Sequence, residues 1–504
     1  MVMKRKILFA TGSVLPNNGS GYFPQDVRRL YNIPADLDGA GQTIGILEYS
    51  NGYNIQDAHS FWAAHGITPP QVEFVSVDGT RNDGGTSPDD EEASLDLQWA
   101  GAIAPKAKLV VYEANGGDTY QTFADAVLAT LRYVLQDTKN HPSVLSISYG
   151  DAELNIGQQA MQEIADVIQQ LSAKGVTVCI SSGDQGAYGM HDTRGPRVQH
   201  ADAPASAPYA VAVGGTSLQP DGTESAWTYN GPDNGGATGG GFSSFFPRPD
   251  YQASLGVVSR GIPDVSLNAD PATGYQIIFQ GQPAVVGGTS VSSPVFAAIV
   301  ALANQRRAQL GLAPVANLTE KLYSNPKSAG YRDITVGNNS FNGVKGYDAV
   351  PGWDACTGWG SLDATAFINF LATEDRGGAT STTLQRQHAP VVHLQAVIKT
   401  VESDKVEHGV SHHHLLIHRI EVLQSDGVDP SSIKPELFCA IRYGDSLGLP
   451  GPIPGLQAGQ AIELQGEYID ENHIYPTIGN PGDPVLHFTH HPVGFVVYQG
   501  KRYE

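Results

Sequence analysis

From residue 43 onward, short apolar runs alternate with stretches in which apolar residues recur every three to four positions. The runs 43–48, 108–112, 144–148, 176–181 and 209–213 are almost continuously apolar, which predicts parallel strands covered on both faces. Helices are predicted near 91–103, 121–136 and 156–174. In the last, Glu163, Asp166 and Gln170 share a polar face, and Ile164, Val167, Ile168 and Leu171 form the apolar one. Strand–helix–strand alternation predicts an α/β fold with a parallel sheet flanked by helices. Between 214 and 288 Gly, Pro, Ser and Asn cluster, so long loops rather than regular structure are expected there. A strong helix follows at 290–309, and 326–360 is again loop-rich. Residues 1–20 read as a loose polar arm, 21–374 as the α/β domain, and the Gly/Ser/Thr segment 375–385 as a linker. Residues 386–504 alternate in strand-like fashion with little helix, which predicts a separate small all-β domain, taken here as an open barrel of OB type. No internal repeat is present.

Composition narrows the picture. Of 504 residues, 40% are hydrophobic and 16% charged, which excludes a wholly disordered chain. The net charge of −21 argues against nucleic acid and anionic membranes as partners. No run approaches the ~20 apolar residues needed to span a bilayer. Lys4, Arg5 and Lys6 are followed by only four apolar residues, 7–10, too few for a secretory signal in the chain as given. Three cysteines cannot make a disulfide framework; Cys179, Cys356 and Cys439 are read as core thiols.

The sharpest local signal is Gly287-Gly288-Thr289-Ser290, with Pro294 four residues beyond the serine. A serine on a Gly-rich turn at a helix start is placed to act as a nucleophile, and the free amides there can bind a developing oxyanion. Pro in the first helical turns would remove a donor that has no partner. The same tetrapeptide at 214–217 is followed by Leu-Gln-Pro-Asp-Gly, so Ser217 is read as part of a structural turn. A serine needs a base. Only five of the 16 histidines precede residue 380, and none has a catalytic-looking context; His65 reads as a solvent-facing helix end. The other choice is a carboxylate. Glu92 and Asp96, four apart on a helix, leave the same face and can share a proton, although such a pair is commonly just solvated charge. A carboxylate base suits acid conditions, in which imidazole is already protonated.

Several separated motifs then occur in a set order. They are EASLD at 92–96, SISYG at 146–150, SSGDQG at 181–186, GGGFSSFFP at 239–247, GIPDVSLNADPATGY at 261–275, GGTSVSSP at 287–294 and PGWDACTGWGS at 351–361. On these the chain resembles the sedolisins, the kumamolisin-like serine-carboxyl peptidases, over about 21–371. The resemblance implies a subtilisin-like fold and acid-acting endopeptidase activity on polypeptide substrates. It implies that Ser290 is the nucleophile, Glu92 the general base, Asp96 its hydrogen-bonded partner and Asp184 an oxyanion contact, which a carboxyl can supply only when protonated. It further implies an outer network of Glu48 and an aromatic residue, Trp in the kumamolisin-like pattern and Tyr149 here. Finally it implies one structural Ca²⁺ held by the Asp333 and Asp354 carboxylates and the carbonyls of Ile334, Val350 and Gly352, where Val350 replaces a family Gly.

Two features depart from that family. Only about twenty residues precede the enzyme-like start, where sedolisins carry a long pro-region. With no export signal the expected compartment is cytoplasmic if the chain is complete, against the extracellular one the resemblance implies. The C-terminal domain also lies outside the usual core. It holds 11 histidines, among them His412, His413, His414, His418, His487, His490 and His491, so a zinc-type site is conceivable. Its 8 basic against 14 acidic residues argue against nucleic acid, and it is read as an accessory module for substrate or a protein partner. Rival readings of the whole chain are a silent peptide-binding relative and a neutral-pH peptidase with an unrecognised histidine.

Overall fold

The computed structural model describes residues 8–9, 21–373 apart from 193 and 230–234, and 391–503 apart from 403–404, 408–409, 427, 444–448, 450, 470–482, 488 and 490–493. The chain forms two compact units, Met1–Gly377 and Gly378–Glu504. The expected linker 375–385 lies outside the described residues, as do His490 and His491.

In the first unit, seven strands form one parallel sheet. They are β1 (Thr43–Tyr49), β2 (Val72–Ser76), β3 (Lys108–Ala114), β4 (Val144–Ile147), β5 (Thr177–Ser181), β6 (Ala210–Leu218) and β7 (Val265–Asn268). Their order is β2-β3-β1-β4-β5-β6-β7, with Glu224–Ala226 paired antiparallel to β6. The five apolar runs read from the sequence are strands, and β2 is an addition whose residues are all only half-buried. Helices α1 (Glu91–Ile103) and α4 (Thr289–Gln309) cover one face, and α2 (Tyr120–Gln136) and α3 (Gln158–Ala173) cover the other. Side chains alternate accordingly: Ile44 and Ile46 of β1 join Leu95, Trp99 and Val295, whereas Leu47 and Tyr49 join Phe123, Val127 and Ile164. The helix expected over 156–174 is broken at Gly157 (φ +89), which separates a short turn, Glu153–Ile156, from α3. This is a subtilisin-like α/β fold.

The 214–288 segment differs from the expectation of long loops. It contains the end of β6, the pair Gly241–Pro247 and Ser259–Ile262, the strand β7, and a hairpin of Tyr275–Phe279 with Gln282–Gly287. Its glycines serve backbone approach as well as turns. A Cβ at Gly214 would lie 2.4 Å from Ser266 Oγ, and one at Gly239 would lie 2.0 Å from the Ser182 carbonyl. The hairpin turns on Gln280 and Gly281, both at positive φ, as two-residue loops require. Leu8–Phe9 pairs antiparallel with Gly287 and Val286 at the end of this hairpin. Ser217 sits in β6 and donates to Asp270 Oδ2 at 2.7 Å; the turn comes after it.

The second unit is built almost wholly of strands. Val391–Val401 pairs with Val410–Asp426 on one side and Ala461–Ile469 on the other. Glu436–Tyr443 follows Val410–Asp426, and Val485–His487 joins it in parallel and Ala461–Ile469 antiparallel, so five strands close a ring. Leu394, Leu415, Ile417, Leu437, Cys439 and Leu464 fill its interior. His413 is buried there, stacked on Tyr443, and its Nε2 accepts the Ile453 N–H at 2.9 Å. The rings of His412 and His414 lie 6.2 Å apart, and among the described residues no group of three ligating side chains is poised for a metal. The three cysteines are buried and unbridged. Among the described residues no helix is long and apolar enough to cross a membrane.

Candidate active site

The site lies at the C-terminal ends of the parallel strands, where a row of polar residues replaces the apolar rows below. β1 and β3 are in register as Ile44↔Leu109, Ile46↔Val111 and Glu48↔Glu113, and β4 meets β1 as Ile44↔Val144 and Ile46↔Ser146. One step further, Glu48 stands level with Ser148. All of these residues point toward the face that α1 and α4 cover, where the first turns of both helices arrive.

α4 starts after Gly288, whose φ of +105 and close approach of Asp184 leave no room for a side chain; a Cβ would lie 2.7 Å from Asp184 Oδ2. Asp184 Oδ1 accepts both the Thr289 N–H and the Thr289 hydroxyl, each at 2.8 Å, and Thr289 Oγ1 accepts the Gly183 N–H at 3.1 Å. The loop carrying Asp184 is thereby locked to the residue before Ser290. Ser290 is fully buried, and its Oγ makes no hydrogen bond among the described residues.

Pro294 acts differently from the reading given above. Thr289 is the first helical residue, so Pro294 lies in the second turn, and the N–H it lacks is the one that would bond the Ser290 carbonyl. That carbonyl is taken instead by the Ser148 hydroxyl at 3.0 Å. The same hydroxyl lies 2.8 and 3.0 Å from the two oxygens of Asp96. A hydroxyl has one proton. With Asp96 ionised, Ser148 donates to the carboxylate; with Asp96 protonated, Asp96 donates to Ser148 and Ser148 donates to the Ser290 carbonyl.

α1 brings Glu92 and Asp96 to the site, and every residue of this helix is buried, which sets aside the solvated-charge alternative for the pair. Burial pushes the Asp96 carboxyl well above its ordinary range, opposed by the Ser148 bond. Glu48 is likewise driven well up, first by burial and then by the charge of Asp96, with Glu92 and Glu113 adding to it. Tyr149 donates to Glu48 Oε2 at 2.5 Å and accepts from Asn51 Nδ2, and burial raises its phenol strongly. Four of the named positions, Glu48, Asp96, Tyr149 and Ser290, thus join through hydrogen bonds and electrostatic fields, with Glu92 inside the same field and Asp184 bonded to Thr289 next to Ser290. His65 stands apart: it caps the helix Ile55–Ala64, is half-buried against Phe61, and its ring nitrogen bonds Gln276, so it does not face solvent as expected.

Sequence reasoning passed over Ser148, Asn51 and the clamp on Thr289. Ser148 lies within SISYG at 146–150, which is a signal; Asn51 has none.

The Asp333–Asp354 region is separate. Asp354 Oδ1 accepts the N–H groups of Cys356 and Thr357, Asp354 Oδ2 accepts that of Val350, and Asp333 Oδ2 accepts that of Gly352, each at 2.8–2.9 Å. Val350 is not at positive φ, so replacing a glycine there leaves the backbone unstrained.

Comparison with known proteins agrees with this architecture. The model of the Subtilase family matches residues 80–360. Kumamolisin of Bacillus sp. (strain MN-32) is 39% identical over 335 residues, covering 64% of this chain and 58% of its own. Sedolisin of Pseudomonas sp. (strain 101) is 28% identical over 396 residues, covering 73% and 64%, and human tripeptidyl-peptidase 1 is 32% identical over 342, covering 63% and 57%. The chain therefore spans less than two thirds of the length of these relatives. The solved structure of Pseudomonas sedolisin, a serine-carboxyl proteinase complexed with two molecules of pseudo-iodotyrostatin, superposes with a TM-score of 0.62 at 26% identity, covering 71% of this chain and 99% of that one. By fold, site and sequence this chain belongs to the Subtilase family, within its sedolisin branch.

Proposed function

We propose that the first unit is an acid-acting serine-carboxyl endopeptidase that hydrolyses polypeptides. The observation that carries this reading is the Ser148 hydroxyl, which bridges a buried carboxyl of the Glu92–Asp96 pair and the backbone of Ser290. On this reading carboxyls take the part that an imidazole plays in other serine hydrolases. In the reaction, Glu92 takes the Ser290 hydroxyl proton as Oγ attacks the scissile carbonyl, and later returns it to the leaving amine. Water then attacks the acyl-enzyme by the same route in reverse. Asp96 holds Glu92 and shares its proton. The oxyanion meets the amide of Ser290 and a protonated Asp184. Since Asp184 Oδ1 is fixed as an acceptor from Thr289, the donated proton belongs on Oδ2. Tyr149 and Glu48 extend the proton network inward. Ser290 is covered in this conformation, so substrate must open the site to reach it.

The test is casein hydrolysis from about pH 3 to about pH 8, with Ser290→Ala as control. The expected result is an acid optimum that is lost in Ser290→Ala and in Glu92→Gln. A neutral optimum, or a fully active Glu92→Gln, overturns the base assignment, and no hydrolysis at any pH favours a silent relative.

Two further assignments complete the proposal. One Ca²⁺ would be held by Asp333, Asp354 and the carbonyls of Ile334, Val350 and Gly352. All are hard oxygen donors, and among the described residues those carbonyls accept no backbone hydrogen bond. The second unit is an OB-type accessory module for substrate or a protein partner, supported by its ring of five strands with one parallel pair.

A further inference from the structure

Glu113 is a buried acid that the mechanism above does not use. It is the register partner of Glu48 on the neighbouring parallel strand, both project from the face under α1, and they are 1% and 0% exposed. Adjacent strands of a sheet run about 5 Å apart, so register partners that project from one face are side-by-side neighbours. Two carboxyls so placed in a dry environment cannot both ionise freely. The titratable groups that feel Glu113 include Glu48 from β1 and Tyr53 from the loop before the helix Ile55–Ala64, and its register partner on the other side is Ser76 of β2. Glu48 in turn feels Asp96 and Glu92 from α1 and is bonded by Tyr149. The carboxyl cluster at the nucleophile therefore has four members, not three.

We infer that Glu113 is a further positioning residue of this site: beside Glu48, it shares the protons of the cluster and sets how far toward neutral pH the cluster keeps its last one. Glu48 feels all three other carboxylates and is the natural holder of that proton. With Glu113 neutralised, Glu48 releases it at lower pH, and the shared-proton arrangement that Asp96 and Glu92 depend on is lost earlier. This inference rests on the peptidase reading above.

The experiment compares kcat/KM against pH for the wild-type chain, Glu113→Gln and Glu113→Asp. The alkaline limb of Glu113→Gln is expected to move down by about one pH unit, with KM little changed, and Glu113→Asp is expected to restore most of the shift. A Glu113→Gln profile that superposes on wild type overturns the inference and leaves the peptidase reading intact. If the wild-type chain proves inactive, or Ser290→Ala retains activity, the peptidase reading fails instead. Proton sharing is then read from unfolding in the Ser290→Ala background. Glu113→Gln should lessen the loss of stability as the pH rises above the ordinary carboxyl range, because Glu48 is held well above it in the folded chain, and an unchanged slope overturns it. Glu113→Asp supplies the same comparison if the glutamine variant does not fold.

Discussion

Glu91 offers a test of the burial argument away from the reacting atoms. It precedes Glu92 at the start of α1, is 2% exposed, and its Oε1 accepts no hydrogen bond among the described residues. Burial alone pushes its carboxyl from 4.5 up to about 8. In the unfolded chain the group ionises near 4.5, and in the folded chain it holds its proton to about 8. Between those values unfolding releases a proton, so rising pH favours the unfolded state. The stabilisation is complete below the lower value and gone once the upper one is passed. The gap sets a ceiling of roughly 5 kcal/mol, and relaxation around a buried acid lowers the realised figure. The assay is denaturant unfolding in a Ser290→Ala background, which prevents self-cleavage, with and without Glu91→Gln. All five tryptophans lie in the first unit, so their fluorescence reports that unit alone. The reference protein should lose several kcal/mol between about pH 4.5 and about pH 8, in part through Asp96 and Glu48, whose raised carboxyls have the same sign. Glu91→Gln should remove roughly 2–5 kcal/mol of that loss. Parallel stability-against-pH curves for the two proteins would refute the reasoning.

Ser148→Ala deletes the hydroxyl between Asp96 and the Ser290 carbonyl, and a charged-group hydrogen bond of ~1.5–3 kcal/mol predicts roughly a ten- to hundredfold lower kcat; Ser148→Thr should recover part of it, and an unchanged kcat in the alanine variant counts against the bridge. Gly288→Ala forces a side chain into φ +105 and against Asp184, and should cost about 1–3 kcal/mol in unfolding free energy and most of the activity. Chelation of Ca²⁺ should lower the unfolding free energy of the first unit, by ~2.7 kcal/mol if the ion had been present at a hundredfold excess over Kd, and its midpoint with it. Asp333→Asn should blunt that effect, and identical melting with and without chelator would remove the calcium assignment.

The parts of this fold that were legible in the sequence are those whose local pattern matches their tertiary role. The β1, β3, β4, β5 and β6 runs are apolar because both faces of a parallel sheet are covered, and α3 shows its stripe because one side meets solvent. α1 and most of α4 have no such stripe, since they are buried all round, α1 along its whole length and α4 except near its C-terminal end. The 214–288 strands stayed hidden because glycine reads as a turn, whereas Gly214, Gly215 and Gly239 are small for packing reasons that only the neighbours reveal. The site was legible as a set of residue types but not as a network. Nothing in the spacing of Glu48, Glu113 and Ser148 says that they stand level, because the register of three strands brings them there, and Asn51 joins Tyr149 from the loop after β1.

That register also bears on how carboxyls could take, in the proposed mechanism, the part an imidazole plays elsewhere. An exposed carboxyl ionises near pH 4 and is a weak base at any higher pH. Setting Glu48 on a strand beneath Asp96, with α1 closing the layer above, removes water from the acids while leaving them within one another's field. Each negative charge then makes the next proton harder to lose, so the cluster keeps a proton to share well above the range of a free carboxyl. Pro294 completes the coupling. By withholding its N–H it leaves the Ser290 carbonyl to Ser148, and the protonation state of Asp96 thereby decides whether the backbone of Ser290 is held by that hydroxyl. Restoring the helical donor with Pro294→Ala should free Ser148 to serve Asp96 alone. The acid limb of kcat should then shift while the folded state is kept or gains stability, a pattern measurable by parallel pH–rate and unfolding curves. A kcat profile unchanged by Pro294→Ala would mean that the hydroxyl bridge carries no information between the acid pair and the serine.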